Sequence, residues 1–138
     1  MTMRPELDPA QAVEACWQRL PVAWRRRQRL HEARYPGRPY PEIVALIEAA
    51  GADPALRQLY PFTSHFTLNL SSVTSYPWSV RAPAVDPLDD GRFRVRRPGT
   101  PRVIGFTRTA EAAVGLVVGH LPAGLGPAVA HDPADRRR

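Results

Sequence analysis

His65 sits in the stretch YPFTSHFTLNLSSVTSYPWS, residues 60–79, among hydroxyl and amide side chains. Imidazole titrates near neutral pH without environmental help, which makes His65 the leading candidate to move a proton. Ser64, Thr67, Asn69, Ser71, Ser72, Thr74 and Ser75 surround it in sequence. Their neutral hydrogen bonds suit an anionic or polyhydroxylated ligand, although a wet strand edge carries such residues in any case. Arg81 follows the loop SYPWSV, and Arg92, Arg94 and Arg96 are spaced by two, so on a strand they share one face. Three guanidinium groups side by side repel unless something answers them. Asp86 and Asp89 on a partner strand are one answer, by ordinary cross-strand pairing. An oxyanion held between the arginines is the other. Tyr76, Pro77 and Trp78 form a rigid aromatic loop beside this strand, suited either to wall a small-molecule pocket or to plug one end of the core.

Other chemistries lack support in the sequence. All nineteen basic residues are arginine, so lysine chemistry is excluded and the charge of +6 is carried by planar forks that match carboxylate, phosphate or sulfate. A GC-rich genome accounts for the same bias. The charge is also spread along the chain, and no helix-turn-helix or aromatic RNA-binding sheet motif is evident, so nucleic-acid binding is the weakest alternative. His31, His65, His120 and His131 lack close ligand spacing, and Cys16 is the single cysteine, so no metal site and no internal disulfide are expected. Glycine-rich phosphate loops, dinucleotide fingerprints and a nucleophile elbow are absent, so no cofactor is expected. No apolar run approaches the roughly twenty residues of a membrane span. The start MTMRPELDPA lacks the regions of a secretory signal, and a cytoplasmic chain is expected.

The elements that must position these groups follow from local patterns. Asp8, Pro9 and Gln11 form an N-cap, a first-turn proline and a capping box. Val13, Cys16, Trp17 and Leu20 then make an apolar stripe, Pro21 is expected to kink or interrupt the helix, and Trp24 and Leu30 to continue the buried face. A proline-rich loop at 36–41 precedes a short buried helix with Ile43, Val44, Leu46 and Ile47, closed by Gly51. Asp53 and Pro54 start another turn. Phe66, Leu68 and Leu70 alternate with Thr63, His65, Thr67, Asn69 and Ser71, which predicts one strand with a polar outer face. Residues 84–88 and 92–97 form a hairpin about Asp89, Asp90 and Gly91, residues 102–107 a further strand, and Thr109 caps a final helix. The expected fold is α+β, an antiparallel sheet of about four strands with N-terminal helices and a C-terminal helix on one face. One domain covers residues 1–122, and the Pro, Gly and Arg-rich segment 123–138 is expected to be disordered.

The segments ALRQLYPFTSHFTLNLSSVTSYPWS, DGRFRVRRPG and VIGFTRTAEAAVGLVVGHLP resemble the C-terminal portion of an uncharacterised actinobacterial family whose members are labelled natural product biosynthesis proteins. The resemblance spans about residues 13–122. Members commonly carry a longer N-terminal portion, so the resemblance implies that a second subunit supplies what is missing here. Trp17, Trp24 and the arginine-rich helix are then expected at a homo- or heterodimer interface.

The resemblance implies a tailoring role, and with the candidate residues it gives an expected function. The chain is a cofactor-independent tailoring protein, a cyclase or eliminase or one subunit of one, acting on a small anionic substrate. His65 and Arg81 are the expected catalytic residues. Asn69, Ser75, Tyr76, Trp78, Arg94 and Arg96 are expected to bind substrate. The alternative is a non-catalytic accessory subunit that positions a partner enzyme.

Overall fold

A computed structural model describes residues 7–131 of the 138-residue chain. The elements run α1 (Pro9–Arg34), α2 (Ile43–Ala52), α3 (Pro54–Arg57), β1 (Tyr60–Ser64), β2 (Thr67–Ser71), β3 (Ala84–Pro87), β4 (Phe93–Arg96), β5 (Val103–Thr107) and α4 (Ala110–Gly119). The strands form one antiparallel meander in the order β1-β2-β3-β4-β5. The α+β arrangement is therefore the expected one, with one strand more than expected. Residues 60–71 are not one strand but two, folded back at His65 and Phe66, with Ser64 paired to Thr67. A two-residue hairpin loop demands left-handed backbone, and His65 adopts φ 55°, alone among the described non-glycine residues.

The fold-back changes which side chains face the core. Thr63 pairs with Leu68 and so points inward, against expectation, while Thr67, Asn69 and Ser71 lie on the opposite face as the alternation predicts, Ser71 wholly buried there. Leu68, Val85, Val95 and Phe93 line the inner face and are all buried. α1 packs on β1, α2 on β2, and α4 on β4 and β5. Ile43, Leu46 and Ile47 of α2 are almost wholly buried, each such side chain contributing about 1.5–3 kcal/mol on burial.

α1 begins at the expected capping box, where the Asp8 carboxylate accepts from the Gln11 amide at 2.8 Å and the Gln11 side chain accepts from the Asp8 amide at 3.1 Å. It runs through Pro21 without a break. Proline leaves the Trp17 carbonyl without its helical donor, yet Trp17 before it and Trp24 after it are anchored to the same core. Three side-chain bonds tie the helix to one extended segment: Cys16 Sγ to the Pro61 carbonyl at 3.1 Å, Trp17 Nε1 to the Leu59 carbonyl at 2.9 Å, and Trp24 Nε1 to Thr63 Oγ1 at 3.2 Å. Acceptors at 59, 61 and 63 follow the period of an extended chain, so the helix lies along it. Leu30 is 63% exposed rather than buried. Six residues beyond Trp24, it is turned about 120° off the buried stripe at 100° per residue, whereas His31 falls back onto that stripe.

Gly51 lies within α2 rather than ending it. A Cβ there would meet Trp17 Cε3 at 3.0 Å and Arg57 Nη1 at 3.2 Å, so glycine lets the helices approach. The segment after Pro122 also departs from expectation up to His131. The Ala128 amide donates to the Gln58 carbonyl, the Val129 amide to the Ser72 carbonyl, and the Thr74 amide to the Val129 carbonyl, each at 3.0 Å. Ala128 is buried in the core. Apolar Leu125 and Ala128 thus dock a stretch whose composition alone reads as a tail. Arg136, Arg137 and Arg138 lie outside the described residues.

Candidate functional site

The outer face of the sheet carries most of the residues expected to bind substrate. Its centre is Asp86, 7% exposed and bonded from three sides. Thr67 Oγ1 donates to Oδ1 at 2.5 Å, Arg94 Nε to Oδ2 at 2.9 Å, and Arg96 donates from Nε to Oδ2 at 2.7 Å and from Nη2 to Oδ1 at 3.2 Å. Burial pushes this carboxyl up, but the hydrogen bonds from Arg96, Thr67 and Arg94 outweigh it and hold the group below the usual carboxylate range. Arg96 also donates to the Thr100 carbonyl at 3.3 Å. The strand arginines are answered by the chain's own acid, so the cross-strand alternative is the one realised. An external anion at Arg96 would have to displace Asp86. Arg92, outside β4, pairs instead with Asp90 at 2.8 Å.

Trp78 stacks on Phe62 with centroids 4.7 Å apart and on Tyr60 at 5.3 Å, covering the outer face of β1. It plugs that face. Asn69 lies beside it, paired with Phe62 across the strands. Ser75 and Tyr76 are exposed on the loop, Tyr76 at 81%. Trp17 and Trp24 are 3% and 4% exposed, so both are spent inside the chain and present nothing to a partner.

His65 and Arg81 do not meet. The Ser71–Val80 bridge places Arg81 near one end of β2, while His65 turns at the other. Five residues along a strand span roughly 17 Å. One small substrate cannot touch both. His65 is fitted to its turn by its backbone: His65→Val, with a branched Cβ at positive φ, is expected to lose about 1–2 kcal/mol in thermal denaturation, and His65→Asn to stay near wild type.

What the sheet does bring together is a different set. Arg81, Arg97 and His120 line one cleft of about 260 Å³ walled by Pro83, Ile104 and Pro122. Arg81 precedes β3, Arg97 follows β4 with its amide bonded to the Arg102 carbonyl at 2.9 Å, and His120 caps the C-terminus of α4. Arg81 also lines a neighbouring cleft of about 210 Å³ with Ser72 and Leu125. His120 Nδ1 lies 2.9 Å from the Leu116 carbonyl. A carbonyl only accepts, so Nδ1 carries the hydrogen and the neutral ring keeps its lone pair on Nε2, able to take a proton. Two guanidinium groups that line the same cleft as such a nitrogen suit an anion, and the nitrogen suits proton transfer at its neighbour. The sequence pattern offers one cue to His120: a histidine closing an apolar helix satisfies that helix's last carbonyls. Nothing along the chain joins it to Arg81 and Arg97.

Among the described residues no group of three or more His, Cys, Asp or Glu side chains is placed to hold a metal ion. No described helix is long and apolar enough to cross a membrane. No curated protein and no solved structure matches the chain. One family does match, from residue 11 to residue 132, which takes in α1 but for its first two residues, every later element, the docked segment beyond α4 and all three residues of the basic cleft. The chain belongs to DUF6193, a family of unknown function.

Proposed function

We propose that the chain is a cofactor-independent tailoring protein of natural-product biosynthesis that binds a small anionic substrate in the Arg81–Arg97–His120 cleft. The observation that carries this reading is the convergence of two arginines and a histidine on one cleft with apolar walls. The arginines hold a carboxylate, phosphate or sulfate, and Pro83 and Ile104 pack the substrate's apolar part. In an elimination, His120 Nε2 takes a proton from the carbon beside the anionic group. The electron pair of that C–H bond forms the new double bond, and the leaving group departs with the pair of its own bond. His120 replaces His65 as the proton carrier because it shares a cleft with Arg81.

A second reading is favoured by size. At about 260 Å³ the cleft falls below the 300–1,000 Å³ usual for small-molecule pockets. A second biosynthetic chain, or a second copy, then closes it, and this chain supplies the anion-holding half of the site.

Titration calorimetry with small carboxylates, phosphates and sulfates tests the anion site. Arg97→Gln is expected to weaken the best of them about tenfold, the effect of losing one charge-assisted hydrogen bond. His120→Gln is expected to leave affinity within about threefold and to abolish turnover where turnover is found. Equal affinities for wild type and Arg97→Gln would overturn the assignment.

A further inference from the structure

The largest cleft of those described here lies at the other end of β3 from Arg81. It has a volume of about 510 Å³, between the proline-rich loop after α1, the β1–β2 hairpin tip and the β3–β4 turn. Its walls are aromatic and rigid: His31, Tyr40 and Phe66, flanked by Pro39 and Pro41. The rings form a contiguous set, with His31 and Tyr40 centroids 4.9 Å apart and Tyr40 and Phe66 meeting edge to face at 5.4 Å. Phe66 in turn contacts Trp24 at 5.2 Å, which fixes the wall to the core.

One polar feature sets what such a cleft can take. Asp89 contributes the one formally charged side chain of its lining, and that carboxylate has no ion pair or hydrogen bond among the described residues. Arg92 and Arg94, the cations nearest in sequence, are engaged by Asp90 and Asp86. His31 is held in the wall. Its Nε2 is closed off from solvent and has no hydrogen-bond partner, alone among the buried side-chain nitrogens and oxygens of the described residues. An atom that water cannot reach is closed to a ligand in the cleft as well, so His31 contributes the face of its ring alone.

Arg27, whose charge reaches Tyr40, already lies over the Trp24 ring at 4.6 Å; the remaining aromatic faces present negative potential and the carboxylate at their rim adds to it, so the complementary ligand is a cation with an apolar body. We propose that this cleft binds a small organic ammonium, its apolar part against Tyr40 and Phe66 and one N–H donated to the Asp89 carboxylate. A primary or secondary amine supplies that N–H, and a quaternary ammonium, which has none, meets the carboxylate by charge alone. This site is independent of the anion cleft and takes the opposite charge.

Three indoles that share one ring and differ in charge test it: tryptamine, tryptophol and indole-3-acetate, titrated into the full chain by calorimetry and by NMR amide shifts. Tryptamine is expected to bind at least about tenfold more tightly than tryptophol, with indole-3-acetate weakest, and to shift the amides around Tyr40, Phe66 and Asp89. Asp89→Asn lies on an exposed turn and keeps the fold, which an unchanged melting profile verifies. It is expected to remove about tenfold of tryptamine affinity and to leave tryptophol unchanged. Equal binding of the three indoles, no binding up to millimolar concentration, or an Asp89→Asn variant that holds tryptamine as wild type does would each overturn the proposal.

Discussion

Trp17→Ala is expected to lower folding stability by about 4 kcal/mol in urea denaturation, the largest single loss predicted for this chain. The indole is 3% exposed and packs where α1, α2 and the start of β1 meet. Its Nε1–H donates to the Leu59 carbonyl at 2.9 Å, and its six-membered ring fills the space that Gly51 leaves open. Truncation removes the buried area, opens a cavity and orphans a carbonyl. Domains of this size are stable by roughly 5–15 kcal/mol, so most of the margin can go. Val22→Ala on the exposed side of the same helix is the control, expected within about 0.5 kcal/mol of wild type. A Trp17→Ala variant as stable as that control would mean that α1 does not dock as described. It would also return Trp17 to the set of residues available for an interface.

Asp86→Asn is expected to cost about 3 kcal/mol at pH 7, because it leaves Arg94 and Arg96 side by side without their shared carboxylate. The arginine side chains are 40% and 25% exposed, and water screens part of their repulsion, which keeps the loss at the lower end for a broken buried pair. The pH dependence follows from the sign of the shift. Asp86 is held below the ordinary carboxylate range when folded, so its contribution is fully present above the unfolded value of about 3.9 and fades as pH falls through the folded one. The gap between wild type and Asp86→Asn is therefore expected to be constant from neutral pH to about pH 5 and to shrink below about pH 4. Urea midpoints over that range check it. A gap that widened in acid would mean that the carboxyl is raised, not lowered, and that the arginines are free for an external anion.

The helix starts were legible because capping is a local signal. Asp8 with Gln11, Asp53 with Pro54, and Thr109 all cap as their sequence context predicts. The alternation of Thr67, Asn69 and Ser71 was legible for the same reason, since strand period is local too. The reversal at His65 was not. The hairpin signal is usually a glycine or asparagine pair, and here a histidine takes the left-handed position between two stretches that read as one strand. That one missed turn moved Thr63 to the core face and His65 to an exposed tip. It also removed the apparent proximity of His65 to the arginines. Pro21 misled in the opposite direction, because the local cost of a helical proline is outweighed by tryptophans on both sides of it. The basic cleft was illegible in principle. Arg81, Arg97 and His120 belong to a loop, a strand end and a helix terminus, and only the meander and the return of α4 place them together.

Where an anion lands on the folded chain is the most direct test of that cleft. Amide and arginine side-chain NMR shifts, followed while a small carboxylate or phosphate is titrated at low salt, give the answer without knowledge of the natural substrate. Shifts concentrated at Arg81, Arg97 and His120, and lost in Arg97→Gln, are the predicted result. Shifts centred on Arg94 and Arg96, or spread evenly over the nineteen arginines and screened away by salt, would contradict it.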